Sequence, residues 1–196
     1  SILTFFLLVI SSLNLLVDPY GIFESGQPKI IKSQKNDFSR QIKAIQLTKI
    51  KPTSIILGTS RAEGAFDPRN NYFTQPAYNV SVAGSSMYEN NLYFKHALNQ
   101  KKIKNVLMIA DYIMFNTKQQ KIDKDFERFF SKSNKGYGLL LNYDMFLSSI
   151  KVLVSGSKRP HYINGFINSI STKERYKNVS HKELFKNIEK NYYKNI

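Results

Sequence analysis

The sequence predicts an α/β fold: a three-layer α/β/α sandwich around a mainly parallel sheet, preceded by an N-terminal hydrophobic helix. Three observations carry that reading. Two short apolar runs, Ile55-Ile56-Leu57 and Val106 to Ala110, sit between loop residues and suit strands buried on both faces. Tyr78 to Ala83 alternates and is β-branched, as a strand does. Helical patterns separate these runs, and the order helix, strand, strand, helix, strand is that of an open, mainly parallel sheet.

The elements follow in order. Ser1 to Val17, SILTFFLLVISSLNLLV, carries no charge and is expected to be an uncleaved membrane anchor whose helix begins before Ser1. Residues 18–52 form a turn, a polar loop and a lead-in helix. Asp18-Pro19-Tyr20-Gly21 supplies turn chemistry, and Phe38 to Lys49 places Phe38, Ile42 and Ile45 on one helical face. Arg40 and Lys43, one helical turn apart, read as a solvated face. Residues 53–196 form the α/β domain. Its first strand spans Thr53 to Gly58 and its second Tyr78 to Ala83. A helix from Ser86 to Gln100 opens with a capping-box spacing at Ser86 and Glu89, and a third strand follows at Val106. Asp123 to Phe130 and Tyr143 to Val154 read as further helical stretches. Ser171 with Glu174 and Ser180 with Glu183 repeat the capping-box spacing, the second before a helix carrying Leu184, Phe185, Ile188 and Tyr192.

Composition narrows the chemistry. The chain has 196 residues and no cysteine, which excludes disulfides, thiolate metal sites and a cysteine nucleophile. No metal-ligand constellation is visible and no cofactor is expected. The net charge of +15 fits attraction to an anionic envelope polymer or lipid surface. The lysines are scattered, however, as codon usage would scatter them. The densest cluster, Lys101-Lys102-Ile103-Lys104, lies where a loop enters a strand, and no nucleic-acid motif accompanies it, so a nucleic-acid partner is not expected.

The chemistry points to the turn after the first strand. Gly58-Thr59-Ser60-Arg61 places a hydroxyl beyond the carboxyl end of a buried strand, where sites form in open α/β sheets. The second strand ends in Ala83-Gly84-Ser85-Ser86 and also leads into a helix. Two neighbouring Gly/Ser turns could bring the Ser60 hydroxyl and the Gly84 N–H to one point, a nucleophile beside an oxyanion donor. Arg61 with Glu63 could order the site as a charged pair, or both could be exposed turn charges.

From Asp18 to about Asn116 the chain resembles the SGNH hydrolase superfamily, in particular a bacterial membrane-anchored branch. The matching pieces are Asp18-Pro19-Tyr20-Gly21-Ile22-Phe23, Ile56-Leu57-Gly58-Thr59-Ser60-Arg61, Asp67-Pro68, Tyr78 to Ser86 with Tyr88-Glu89, and Asp111-Tyr112 with Phe115. The resemblance implies a flavodoxin-like sandwich, Ser60 as nucleophile, and the N–H groups of Ser60 and Gly84 as oxyanion donors, with Gly58, Arg61 and Asp111 supporting the site. The superfamily's third block supplies an asparagine amide. Asp111 stands at that strand end, where an ionised carboxylate repels an oxyanion, and Asn116 lies further along. The superfamily's late Asp-x-x-His does not occur here: Tyr93, Lys158 and Asn178 precede His96, His161 and His181 by three positions. His96 reads as a surface or packing residue, His161 as part of a solvated basic loop, and His181 as a helix start. The functional expectation is an extracytoplasmic, membrane-tethered serine esterase or O-acyltransferase acting on acyl groups of envelope glycans, its catalytic histidine lying downstream. The alternative is a non-catalytic envelope scaffold on a degenerate form of that fold.

Overall fold

The computed structural model describes residues 1–23, 38–116, 126–130, 136–155 and 161–168. The third expected capping box, at Ser180, and the spacing at Ser171 lie outside these residues, as do His181 and residues 123–125 of the Asp123 stretch, whose remainder, Phe126–Phe130, is a 3-10 helix.

Helix α1 runs Ile2–Val17 and ends where Asp18 adopts a left-handed conformation at φ 43°. The Asp18 carboxylate then accepts the N–H groups of Ile22 (2.7 Å) and Phe23 (3.0 Å), so the turn closes on itself. α1 is 16 residues long, about 24 Å at 1.5 Å per residue. No helix among the described residues is long and apolar enough to cross a membrane. The carboxyl half of α1 packs on the domain through Asn14 and Val17, whereas residues 2–9 are exposed.

Helix α2 spans Ser39–Ile50 and strand β1 Ser54–Leu57; α3 follows at Ser60–Ala65. Strand β2 is Ala77–Asn79, helix α4 Met87–Leu98 and strand β3 Asn105–Met108. The strands form a parallel sheet in the order β2-β1-β3, pairing Ile55 with Tyr78 and with Val106. The α/β class and the parallel sheet thus agree with the sequence. The second strand is shorter than its pattern, but Val80 and Val82 still donate to Ile56 O (2.8 Å) and Gly58 O (3.2 Å).

Successive β1 side chains face opposite sides. Ile55 and Leu57 join Ile42, Ile45, Tyr93 and Ala97 beneath α2 and α4. Ile56 packs with Ala62, Phe73 and Ala77 on the other side, under α3 and the segment after it. β1 is therefore buried on both faces, the condition its unbroken apolar run anticipates. The capping box of α4 forms as its spacing predicts: Ser86 N donates to Glu89 Oε2 (2.8 Å) and Glu89 N to Ser86 Oγ (3.2 Å).

Helix α5 spans Tyr143–Ser155 and packs on α1, and strands β4 (His161–Ile163) and β5 (Phe166–Asn168) form an antiparallel hairpin. This hairpin corrects the reading of His161 as part of a solvated loop. Asn164 and Gly165, at φ 48° and 78°, make its two-residue turn, for which Asn-Gly is the favoured pair.

Candidate functional site

Gly58 carries φ 154°, and a Cβ there would stand 2.6 Å from Ala62 Cβ. Only glycine lets the chain leave β1 and enter α3 so abruptly. Ser60, the first residue of α3, is exposed, while Thr59 on one side and Ala62 on the other are buried. No hydrogen bond engages the Ser60 hydroxyl among the described residues.

The second strand end is tied to the first. Gly58 O accepts from Val82 N (3.2 Å) and from Ser85 Oγ (2.8 Å), and Asn90 Nδ2 donates to Ser85 Oγ (3.0 Å). Arg40 donates to Ala83 O (3.0 Å) and pairs with Glu89 (2.6 Å). Gly84, exposed at φ 66° with nothing near its missing Cβ, is thus flanked by two anchored residues. Ser85, Asn90 and Arg40 shape the site, roles that no local sequence signal marks. The Arg40 and Lys43 pair is not a solvated face.

Asp111 closes the third side. Its buried carboxylate accepts from Thr59 Oγ1 (3.1 Å) and from the Arg61 guanidinium (3.2 Å). The two residues flanking Ser60 in sequence are therefore both held by one acid beyond β3. Thr59 makes no side-chain cap to α3, and its hydroxyl donates to Asp111 instead. Asn116 is exposed at the end of the 3-10 turn Tyr112–Phe115.

Neither alternative for Arg61 and Glu63 holds: they do not pair with each other, and Glu63 is not exposed. Arg61 goes to Asp111, and Glu63 is buried against Lys43 (2.7 Å), a fully interior ion pair. Lys43 Nζ also donates to Ser81 O and to Gly165 O (3.0 Å). Burial holds the Lys43 ammonium below its ordinary range, with the Glu63 charge opposing that shift. Burial and the same glutamate push the Tyr162 and Tyr78 phenols up.

His96 serves packing. It is buried in α4, where Nε2 lies 3.0 Å from Ala44 O and 3.1 Å from Thr48 Oγ1. Burial lowers its pKa below the ordinary 6.5. It takes no part in the cluster around Ser60. The His161 side chain and His181 lie outside the described residues. Among the described residues no group of three His, Asp or Glu side chains gathers as a metal site would.

Two apolar hollows flank β3. One of about 480 Å³ is lined by Phe66, Tyr72, Phe73 and Leu107 among others, and one of about 220 Å³ by Leu57, Met87, Phe94, Val106 and Met108 among others. Ser60 and Gly84 line neither. Comparison with family models, curated proteins and solved structures gives no match for this chain.

Proposed function

We propose that this chain is the nucleophile-bearing part of a membrane-tethered serine esterase or O-acyltransferase of SGNH type, acting on acyl groups of an envelope glycan. In this reading the sheet belongs to a three-layer sandwich, α1 is the tether, and the working domain faces an extracytoplasmic space. The observation that carries the reading is an exposed Ser60 hydroxyl at the carboxyl end of the central strand, with the Gly84 turn lashed to the same strand end through Gly58 O.

Ser60 Oγ attacks an ester carbonyl as its proton passes to a histidine base, and the N–H groups of Ser60 and Gly84 receive the developing oxyanion. The ester C–O bond then breaks, the alcohol leaves with that proton, and water or an acceptor hydroxyl takes the acyl group from Ser60. At six residues α3 is too short for its dipole to add much, so individual N–H groups carry this role. Asp111 is a positioning residue: it steadies Thr59 and Arg61 around the serine and donates nothing to the oxyanion. The base is a histidine outside the described residues. The Ser60→Ala variant of the full-length protein is expected to lose p-nitrophenyl acetate hydrolysis by about a thousandfold or more, and to lose labelling by a fluorophosphonate. Equal turnover in both proteins would reject Ser60 as nucleophile.

A second reading, a tethered scaffold without catalysis, is favoured by one specific feature. Asp111 stands where an amide donor belongs and is committed to Arg61 and Thr59. Absence of both turnover and labelling in the unmodified full-length protein would select it.

A further inference from the structure

We infer that the domain itself enters the membrane interface, through the carboxyl end of α5 beside α1, so that the tether fixes the orientation of the domain as well as its location. The inference rests on the tethered reading of α1 and adds a second point of contact to it.

Three observations lead there. First, α1 exposes large apolar side chains in every direction around its free end, with only the small hydroxyls of Thr4 and Ser12 among them. Ile2, Leu3, Phe5, Phe6, Leu7 and Leu8 are between 42% and 80% exposed, and at about 100° per residue they face every direction. A protein groove covers one stripe of a helix, whereas acyl chains cover all of it. Second, α5 lies beside α1 and carries an exposed apolar end of its own. Asn14 of α1 accepts from Ser149 Oγ (2.9 Å) and donates to Leu140 O (2.9 Å), which fixes the two helices side by side. Leu153 follows Ser149 by one turn on the same side of α5. It is 56% exposed and Val154 81% exposed, with Ile150 partly open beneath them. Third, the charge suits the occupant. The chain carries +15 overall but no charge from Ser1 to Val17, the distribution of a body drawn to anionic headgroups behind an uncharged insert. Asn14, the one amide in α1, has its oxygen and nitrogen satisfied by α5 and the preceding turn, so it can sit at the boundary without water.

The occupant is therefore the outer acyl layer of an anionic bilayer. The chain has no tryptophan, so an introduced indole reports alone. The probe is vesicles of phosphatidylcholine with phosphatidylglycerol, with and without brominated acyl chains, added to the full chain carrying Val154→Trp or, separately, Phe6→Trp. Both indoles are expected to shift to the blue and to be quenched by the brominated lipid. Leu153→Asp with Val154→Asp is expected to lower vesicle partition roughly tenfold or more, the factor for withdrawing one large apolar side chain from lipid, with an unchanged circular dichroism spectrum. If Phe6→Trp is quenched but Val154→Trp emits as in water, and the aspartates leave partition unaltered, α1 is the whole contact and this inference is overturned. If neither indole responds, the tether reading falls with it.

Discussion

The two edges of the sheet are finished in opposite ways. At the β2 edge, the hairpin turn seals the outermost strand: Asn79 N donates to Asn164 O (2.9 Å), and Gly165 O accepts from Lys43. The buried Lys43–Glu63 pair sits in that seam with Tyr162 over the ammonium at 5.5 Å. At the β3 edge, Asn105 and Ile109 donate to Thr53 and Leu57 of the β1 side, so the backbone groups of Val106 and Met108 point outward. These two residues are 42% and 38% exposed, and an apolar hollow lies on either face. An apolar parallel strand is thus presented with half its hydrogen-bonding capacity open. The difference teaches that polar and ionic groups close one edge of this sheet, whereas among the described residues nothing polar guards the other.

The largest effect should come from splitting the ion pair. Lys43→Ala leaves the Glu63 carboxylate interior and unpaired by an ammonium, and should cost about 3–5 kcal/mol in urea unfolding. Lys43→Met with Glu63→Leu removes both charges and should recover most of that loss. If the double variant is as unstable as the single, the seam depends on its ionic bonds and not on the avoidance of a lone buried charge.

Next comes Gly165→Ala. A Cβ there would lie 2.0 Å from Asn79 O at a backbone φ of 78°. The backbone conformation alone should cost about 1–3 kcal/mol, with the clash adding to it. Amide exchange at Asn79 should speed up in this variant while exchange at Ile109 is unchanged, which separates the two edges directly.

The β2 edge should also be the base-labile one. Tyr78 and Tyr162 hold their protons above the ordinary phenol range, so above about pH 10 the unfolded chain sheds protons that the folded chain keeps, and stability falls as pH rises. Lys43, depressed below 10.5, acts with the opposite sign, but only below about pH 10.5, where the unfolded chain still holds its proton, so it does not offset the phenols above that pH. From the two phenols together the loss should approach about 2.7 kcal/mol per pH unit above about pH 10.5. Tyr162→Phe should flatten the alkaline limb measured by denaturant titration.

The smallest stability effect belongs to the open edge. Val106→Lys should change unfolding free energy by about 0.5 kcal/mol or less, yet it should reduce self-association on concentration, since an edge lysine opposes strand addition. Light scattering of the two proteins would decide it.

The contrast also explains what could be read in advance. β1, the α4 capping box and the glycine turn before Ser60 are local signals, set by residues within a few positions of one another. The hairpin was equally local: Asn164-Gly165 stands between Tyr162-Ile163 and Phe166-Ile167, a turn pair flanked by apolar residues, and a basic-loop reading of its surroundings obscured it. Lys43 and Glu63 were not legible. They lie 20 positions apart, and charged residues are exposed unless a tertiary partner buries them. At the candidate site, the exposed serine followed from its place after a buried strand. The Asp111 clamp depended on a contact across 52 positions that no periodicity encodes. The sequence also raises Asp111 as a poor oxyanion donor on electrostatic grounds alone, and its carboxylate is in fact engaged by a guanidinium and a hydroxyl.

Asp111 has a mechanical consequence. It stands just past the carboxyl end of the unguarded strand, and it grips the residues on either side of Ser60. Displacement of β3 would carry that carboxylate with it and so pull on both residues that flank Ser60.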